Sequence, residues 1–350
     1  QYGYKNTETP NKTTTILESI KNGNNEAICY TYNNMGYIET IKNGNELLAK
    51  YQYDGLGQLT RENNKKKKKT ITYEYDTGGN ILNKNDYTEG DITTQPTKVI
   101  EYIYNNANWK DQLTRYNGKE ITYDPIGNPL TYDGNTYTWQ NGRELAGIQN
   151  TEKGLNISYK YTDDGIRTEK TVNGETTTYH LDGEIVIYET KGNDTIYYQY
   201  DSNQNLIGFK LNDEQYYYIR NGQNDIIGIL DNSLNQVVSY TYDTWGKLIS
   251  IKDGQGNDVT NNTNHIGYKN PYRYRGYRYD TETGLYYLQS RYYDPEMGRF
   301  INQDELTSTG QGLLEHNMYA YCNNNPVNMT DVTGNVAGII SIRKYCYGNI

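Results

Sequence analysis

Side chains able to do chemistry are unevenly spread along these 350 residues. Three histidines, His180, His265 and His316, stand far apart, with no spacing that would gather them on one metal. Three cysteines, Cys29, Cys322 and Cys346, are an odd number without a Cys-x-x-Cys pair, so neither a disulfide framework nor a zinc site is expected. Neither a Gly-x-Ser-x-Gly elbow nor a Gly-rich phosphate loop occurs, and no cofactor is expected. Trp109, Trp139 and Trp245 could stack on sugar rings, yet each lies inside a repeating phrase where packing is the simpler role. Carboxylates remain, with 43 Asp and Glu in the chain. Two of them brought close cannot both ionise easily, so one keeps its proton and serves as acid while the other activates water. A single Asp before a turn is more simply a turn residue, so type alone does not pick out a pair.

A net charge of -9 argues against broad nucleic-acid binding, which runs on clustered Lys and Arg. The one basic run, Lys65 to Lys69, has no interleaved aromatics and reads as a solvated loop between two strands. Apolar runs never approach the roughly 20 residues that a membrane-crossing helix needs. No signal peptide opens the chain, which begins Gln1-Tyr2-Gly3-Tyr4 and is read as the later part of a longer protein whose N-terminal remainder carries any export signal.

The elements that must position any site are written in the composition: 41 Tyr against 2 Phe, with 34 Gly and only 7 Pro. Tyr suits a half-buried pleated surface, packing its ring while its hydroxyl finds a partner. One phrase, Tyr-x-Tyr-Asp/Asn-x-x-Gly-x-Leu/Ile, recurs along the chain. It runs Tyr30-Thr31-Tyr32-Asn33 with Gly36 and Ile38, Tyr51-Gln52-Tyr53-Asp54 with Gly57 and Leu59, Tyr73-Glu74-Tyr75-Asp76 with Gly79 and Ile81, and Tyr240-Thr241-Tyr242-Asp243 with Gly246 and Leu248. Looser copies lie around Tyr102, Tyr123, Tyr159 and Tyr198. The two Tyr share one strand face, Asp or Asn with Gly makes the turn, and the apolar residue starts the return strand. Each unit is a hairpin that cannot bury its own face, so units must stand side by side in one continuous sheet. Helical periodicity is nearly absent, Asn302 to Asn317 being the best candidate for a short helix.

These repeats resemble the YD repeats of bacterial Rhs proteins, toxin-complex C subunits, cell-wall-associated Rhs proteins and the teneurins. Further phrases carry the resemblance: Trp139 to Leu145, Asp164-Gly165-Ile166-Arg167, Tyr217 to Asn221 before Asp225-Ile226-Ile227-Gly228, and Tyr242 to Gly246. The segment from Asn270 to Gly334 looks like the Rhs repeat-associated core. It holds Pro271-Tyr272-Arg273-Tyr274-Arg275-Gly276, Asp280 to Tyr287, Arg291-Tyr292-Tyr293-Asp294-Pro295, Gly298-Arg299-Phe300 and Asn323-Asn324-Asn325-Pro326-Val327-Asn328.

The resemblance implies an all-β fold: a hairpin shell over residues 1–269, a core plug with little helix over 270–335, and the start of a variable region over 336–350. It further implies a secreted or cell-surface bacterial protein that encloses a C-terminal toxin, of which only 15 residues follow Asn335. The core would then act, at most, as an intramolecular aspartyl protease. The family's cleavage phrase, Pro-x-x-x-x-Asp-Pro-x-Gly-Leu, reads here Pro326-Val327-Asn328-Met329-Thr330-Asp331-Val332-Thr333-Gly334-Asn335. Val332 stands where Pro is usual, Asn335 where Leu is usual, and Glu305 follows Asp304 where Pro is common. Asp304 and Asp331 are the implied catalytic pair, with Arg291 adjusting their charge or polarising the carbonyl, Asp294 in reserve, and Asn335-Val336 the bond to be cut. Implied partners are the toxin segment itself, an immunity protein or a component of secretion machinery. The alternative is a structural or adhesive scaffold without catalysis, binding carbohydrate or a neighbouring cell.

Overall fold

The computed structural model describes residues 1–6, 13–23, 25–305, 313–335 and 337–340. Within them, 24 strands from Tyr2–Asn6 to Leu248–Asp253 follow one another as an unbroken antiparallel meander, each strand pairing with its neighbours in sequence. Membership of one sheet comes from the turn chemistry. At Asp54 the side-chain Oδ1 accepts from the backbone N–H of Leu56 and of Gln58, both at 2.9 Å, while Gly57 N–H donates back to the Asp54 carbonyl at 3.1 Å. Gly57 closes this turn at φ +85°, where a side chain would be strained. The same side-chain contacts recur at Asp76, Asp124, Asp201 and Asp243.

The preference for Tyr over Phe has a specific cause. The second Tyr of each phrase donates its hydroxyl to a carbonyl in the return strand of the preceding hairpin. Tyr32 bonds Leu17, Tyr53 bonds Ile38 and Tyr75 bonds Leu59, each at 2.6 Å. Tyr161, Tyr200 and Tyr242 repeat the contact on Leu145, Val186 and Ile226. Where Tyr is replaced, a donor is kept: Trp139 Nε1 bonds the Pro129 carbonyl at 2.7 Å and Arg220 Nη2 the Leu206 carbonyl at 2.9 Å. A Phe there would leave a carbonyl unpaired. The first Tyr of the phrase packs inward instead, and Tyr30, Tyr51, Tyr73, Tyr159, Tyr198 and Tyr240 are all buried.

The sheet curls until its last hairpins meet its first. Gly222 N–H donates to Tyr30 Oη at 2.8 Å, and Asn22 Nδ2 donates to the Arg220 carbonyl. Lys67 Nζ lies 2.7 Å from Asp243, and Thr244 bonds the fully buried Glu62. The basic run is therefore not simply solvated: Lys67 is drawn into the seam because two buried carboxylates there require a cation.

The C-terminal region lies against the concave side of this wall. It comprises a four-residue helix, Ile266–Lys269, a four-stranded sheet from Arg278–Asp280 to Arg299–Phe300, and a hairpin of Met329–Asp331 with Ala337–Ile339. Of the helix expected from Asn302 to Asn317, residues 302–305 are irregular, Leu313–His316 form a single 3-10 turn, and 306–312 lie outside the described residues. The backbone leaves helical geometry at 302–305 because Asp304 N–H is committed to the Met318 carbonyl at 3.0 Å.

Wall and C-terminal region are joined by buried charge. Arg167, fully buried, pairs with Asp280 at 2.6 Å, and Lys170 reaches the same carboxylate at 3.0 Å. Burial disfavours an ionised Asp280, but Arg167 and Lys170 outweigh it and hold the carboxyl below its ordinary range. Arg278 pairs with Glu189 at 2.6 Å, and Arg275 with Asp225 at 2.9 Å. Tyr286 and Tyr293 hydroxyls donate to the Gly246 and Trp245 carbonyls. At Gly246 an added Cβ would sit 2.5 Å from the Tyr274 ring, so the repeat glycine here also admits the C-terminal region.

Candidate active site

Arg291 opens the strand Arg291–Asp294, and its guanidinium is buried over the ring of Phe300 at 3.6 Å. One of its nitrogens, Nη2, lies 2.9 Å from Asp304 and 3.3 Å from Asp331. The structure thus brings together the three residues singled out in the sequence, Arg291 and Asp331 from strands and Asp304 from irregular chain. Nη1 donates to the Met318 carbonyl at 3.1 Å, and Nε donates to the Gly334 carbonyl. Burial lowers the pKa of Arg291, while Asp304 and Asp331 pull the other way, and a guanidinium stays charged under either influence.

Asp331 is held from several sides. Its backbone N–H donates to Tyr277 Oη at 2.9 Å, and its Oδ1 accepts from Gly334 N–H at 2.8 Å. Tyr277 is itself tied to Thr330 at 2.8 Å and Tyr321 at 3.1 Å. Residues 332–336 connect the two strands of the terminal hairpin, in which Asp331 faces Ala337. Gly334, at φ +81°, has its Cα against the Leu288 carbonyl and Ser290, where a Cβ would stand 2.7 Å from each. Asn335 is half-buried, whereas Val336 lies outside the described residues. Behind the hairpin, Val332, Ile339 and Ile340 face a cavity of about 610 Å³ walled by Tyr4, Tyr200 and Tyr218.

The reserve residue does not join this group. Asp294 Oδ1 accepts from Glu296 N–H at 2.8 Å and Met297 N–H at 3.1 Å, capping a turn. Burial pushes its carboxyl up to about 6. Sequence reasoning missed Phe300, Tyr277 and Cys322, the last a buried thiol whose pKa is raised by burial and then by nearby Asp331. Of these only Phe300, one of two Phe in the chain, carried a signal. The other chemical side chains are elsewhere: His180 stacks on Tyr188, His265 Nδ1 caps the short helix, and His316 is exposed. Trp245 is buried in the wall. Cys29 and Cys322 are free thiols, and Cys346 lies outside the described residues. Among the described residues no helix is long and apolar enough to cross a membrane.

A curled sheet of Tyr-Asp hairpins with its end folded against the concave face defines a YD-repeat shell protein. Residues 8–327 match the Teneurin YD-shell family, and the chain belongs to it. It is 37% identical over 272 residues to the tRNA nuclease WapA of Bacillus subtilis, covering 75% of this chain and 11% of that protein. The same identity and coverage hold for the tRNA3(Ser)-specific nuclease WapA of Bacillus spizizenii. The chain thus spans about a tenth of the length of these relatives. The Tc holotoxin pore of Photorhabdus luminescens superposes on 98% of this chain and 18% of that one, with a TM-score of 0.69 and 19% identity. A TcdB2-TccC3-Cdc42 crystal structure covers 95% of this chain and 18% of that one, with the same TM-score and 20% identity. These two likenesses are of fold.

Proposed function

We propose that the chain is the closing end of a secreted or cell-surface YD-repeat shell, with residues 1–269 as wall, 270–335 as plug and 336–350 as the start of a released segment. The plug cuts the chain at Asn335-Val336. The observation that carries this reading is the sharing of Arg291 Nη2 by Asp304 and Asp331, while the same guanidinium holds the Gly334 carbonyl one residue before the expected bond. In the proposed reaction one carboxylate of the pair accepts a proton from water, whose oxygen attacks the Asn335 carbonyl carbon. The other carboxyl delivers its proton to the departing Val336 nitrogen as the C–N bond breaks. Arg291 stabilises the charge that develops on oxygen. The released segment, enclosed until cut, is a toxin, and its partners are an immunity protein and secretion machinery.

Intact-mass spectrometry of the chain bearing its natural C-terminal extension tests this. The wild type should split at Asn335-Val336, and Asp304→Asn and Asp331→Asn should stay whole while keeping the wild-type circular dichroism. An uncut wild type overturns the reading and favours a scaffold without catalysis. One observation supports that second role: on the outer face of three adjacent strands His180, Tyr188 and Tyr197 form a row, with centroids 3.9 and 5.2 Å apart and Tyr197 49% exposed. Such a row would take carbohydrate at its open end.

A further inference from the structure

We infer that the pocket formed where the last hairpins of the wall meet the first is a binding site for a monosaccharide bearing a carboxylate, a uronic acid. The site lies apart from Arg291 and its carboxylates and does not depend on cleavage. Its volume is about 290 Å³, at the lower edge of the roughly 300–1,000 Å³ usual for pockets that take drug-sized ligands, so it admits a single ring.

Both walls carry aromatic rings, and hydroxyls are concentrated on one. The strands Ile28–Tyr32, Ile38–Asn43 and Glu46–Tyr53 supply Ile28, Ile41 and Leu48 with the rings of Tyr30 and Tyr51. An apolar surface edged by aromatic rings suits the C–H face of a pyranose. The opposite wall adds Ile227, Tyr240, Tyr242 and Tyr274 and supplies the hydroxyls of Ser239 and Thr241, which can exchange hydrogen bonds with sugar hydroxyls, while the Thr244 hydroxyl and Gln223 Nε2 are committed to Glu62 and the Val327 carbonyl.

Charge selects among sugars. Four charged side chains line the cavity: Lys66, Asp225, Asp243 and Arg275. Asp225 is paired with Arg275 at 2.9 Å and Asp243 with Lys67 at 2.7 Å. Both carboxylates also accept backbone N–H groups, Asp225 from Arg275 and Asp243 from Trp245 and Lys247, so they have little left for a ligand. Lys66 alone among the four has no carboxylate within ion-pair distance among the described residues; the residue is exposed overall, yet burial of its ammonium lowers its pKa, with the charges of Asp225 and Glu46 pulling the other way. An ammonium without an ion pair, partly desolvated in a pocket whose other charges are already matched, calls for an anion on the ligand, and a uronic acid carries one as its carboxylate.

Isothermal titration of the whole chain with glucuronate, glucose and glucose 6-phosphate tests the assignment. Glucuronate should bind at millimolar concentration or tighter, and glucose at least about tenfold more weakly, the difference a charge-assisted hydrogen bond supplies. Lys66→Met should remove that preference, and Thr241→Val should weaken glucuronate severalfold, both at unchanged melting temperature. Absence of glucuronate binding, equal binding of glucose, or insensitivity to Lys66→Met overturns the proposal. Tighter binding of glucose 6-phosphate overturns it in favour of a phosphosugar.

Discussion

The wall and the C-terminal region are built from the same Tyr, Asp and Gly by opposite rules. Away from the seam where its ends meet, the wall is held by bonds between neighbouring hairpins: Tyr75 bonds Leu59 and Tyr242 bonds Ile226, each sixteen residues back. In the C-terminal region the decisive bonds are distant and charged, as with Arg167 and Asp280, 113 residues apart and both buried. Local neutral bonds repeated many times tolerate the loss of one. Distant buried charges do not, because each removal strands a partner away from water.

The comparison can be broken first at its strongest point. Arg167→Met leaves Asp280 buried with Lys170 alone and should cost about 3–5 kcal/mol of unfolding free energy in urea. A loss no larger than that at a wall tyrosine would erase the distinction. Because the Asp280 carboxyl is held below its ordinary range, its contribution is present at neutral pH and is lost as pH falls below about 4. Next, Tyr75→Phe leaves the Leu59 carbonyl without its donor and should cost about 1–3 kcal/mol. The double variant Tyr75→Phe, Tyr242→Phe should be additive within about 0.5 kcal/mol if the ladder is a chain of independent rungs.

A smaller effect separates burial from pairing. Asp294 is half-buried with its carboxyl pushed up to about 6 by desolvation, so the cost of ionising it is complete above that pH and fades as pH falls through 6 toward 4. Asp294→Asn should therefore be more stable than wild type at pH 8 by on the order of 1–2 kcal/mol, and the two should converge by about pH 4. A melting-temperature difference that stays constant with pH would mean the carboxyl is not buried in solution. Smallest of all, the exposed pair Lys50 and Glu39, 3.7 Å apart, should contribute under about 0.5 kcal/mol by double-mutant cycle.

What was legible in the sequence follows the same division. The turn at Asp54-Gly57 and the shared face of Tyr51 and Tyr53 are local, so period and turn chemistry suffice to read them. The excess of Tyr over Phe marks a hydroxyl that matters, but the carbonyl it serves belongs to the previous hairpin and is known only once strands are paired. The grouping of Asp304, Asp331 and Arg291 was reachable only through resemblance to a family, since the three come from short, non-repeating pieces of chain that no periodicity relates. Lys67 defeated its neighbours in sequence: in a run of five lysines nothing distinguishes the one that meets Asp243, 176 residues on.

The unbroken meander also fixes an order of events. Because each strand pairs with the one before it, the wall has low contact order, and hairpins can add one at a time to a growing edge. A chain ending after Asp253 should already resist pulsed proteolysis over its early hairpins, and sensitivity throughout would contradict this. The residues that pack against the wall come last, so synthesis completes the surface before it delivers the segment that fits it, and that segment is received by a template already in place.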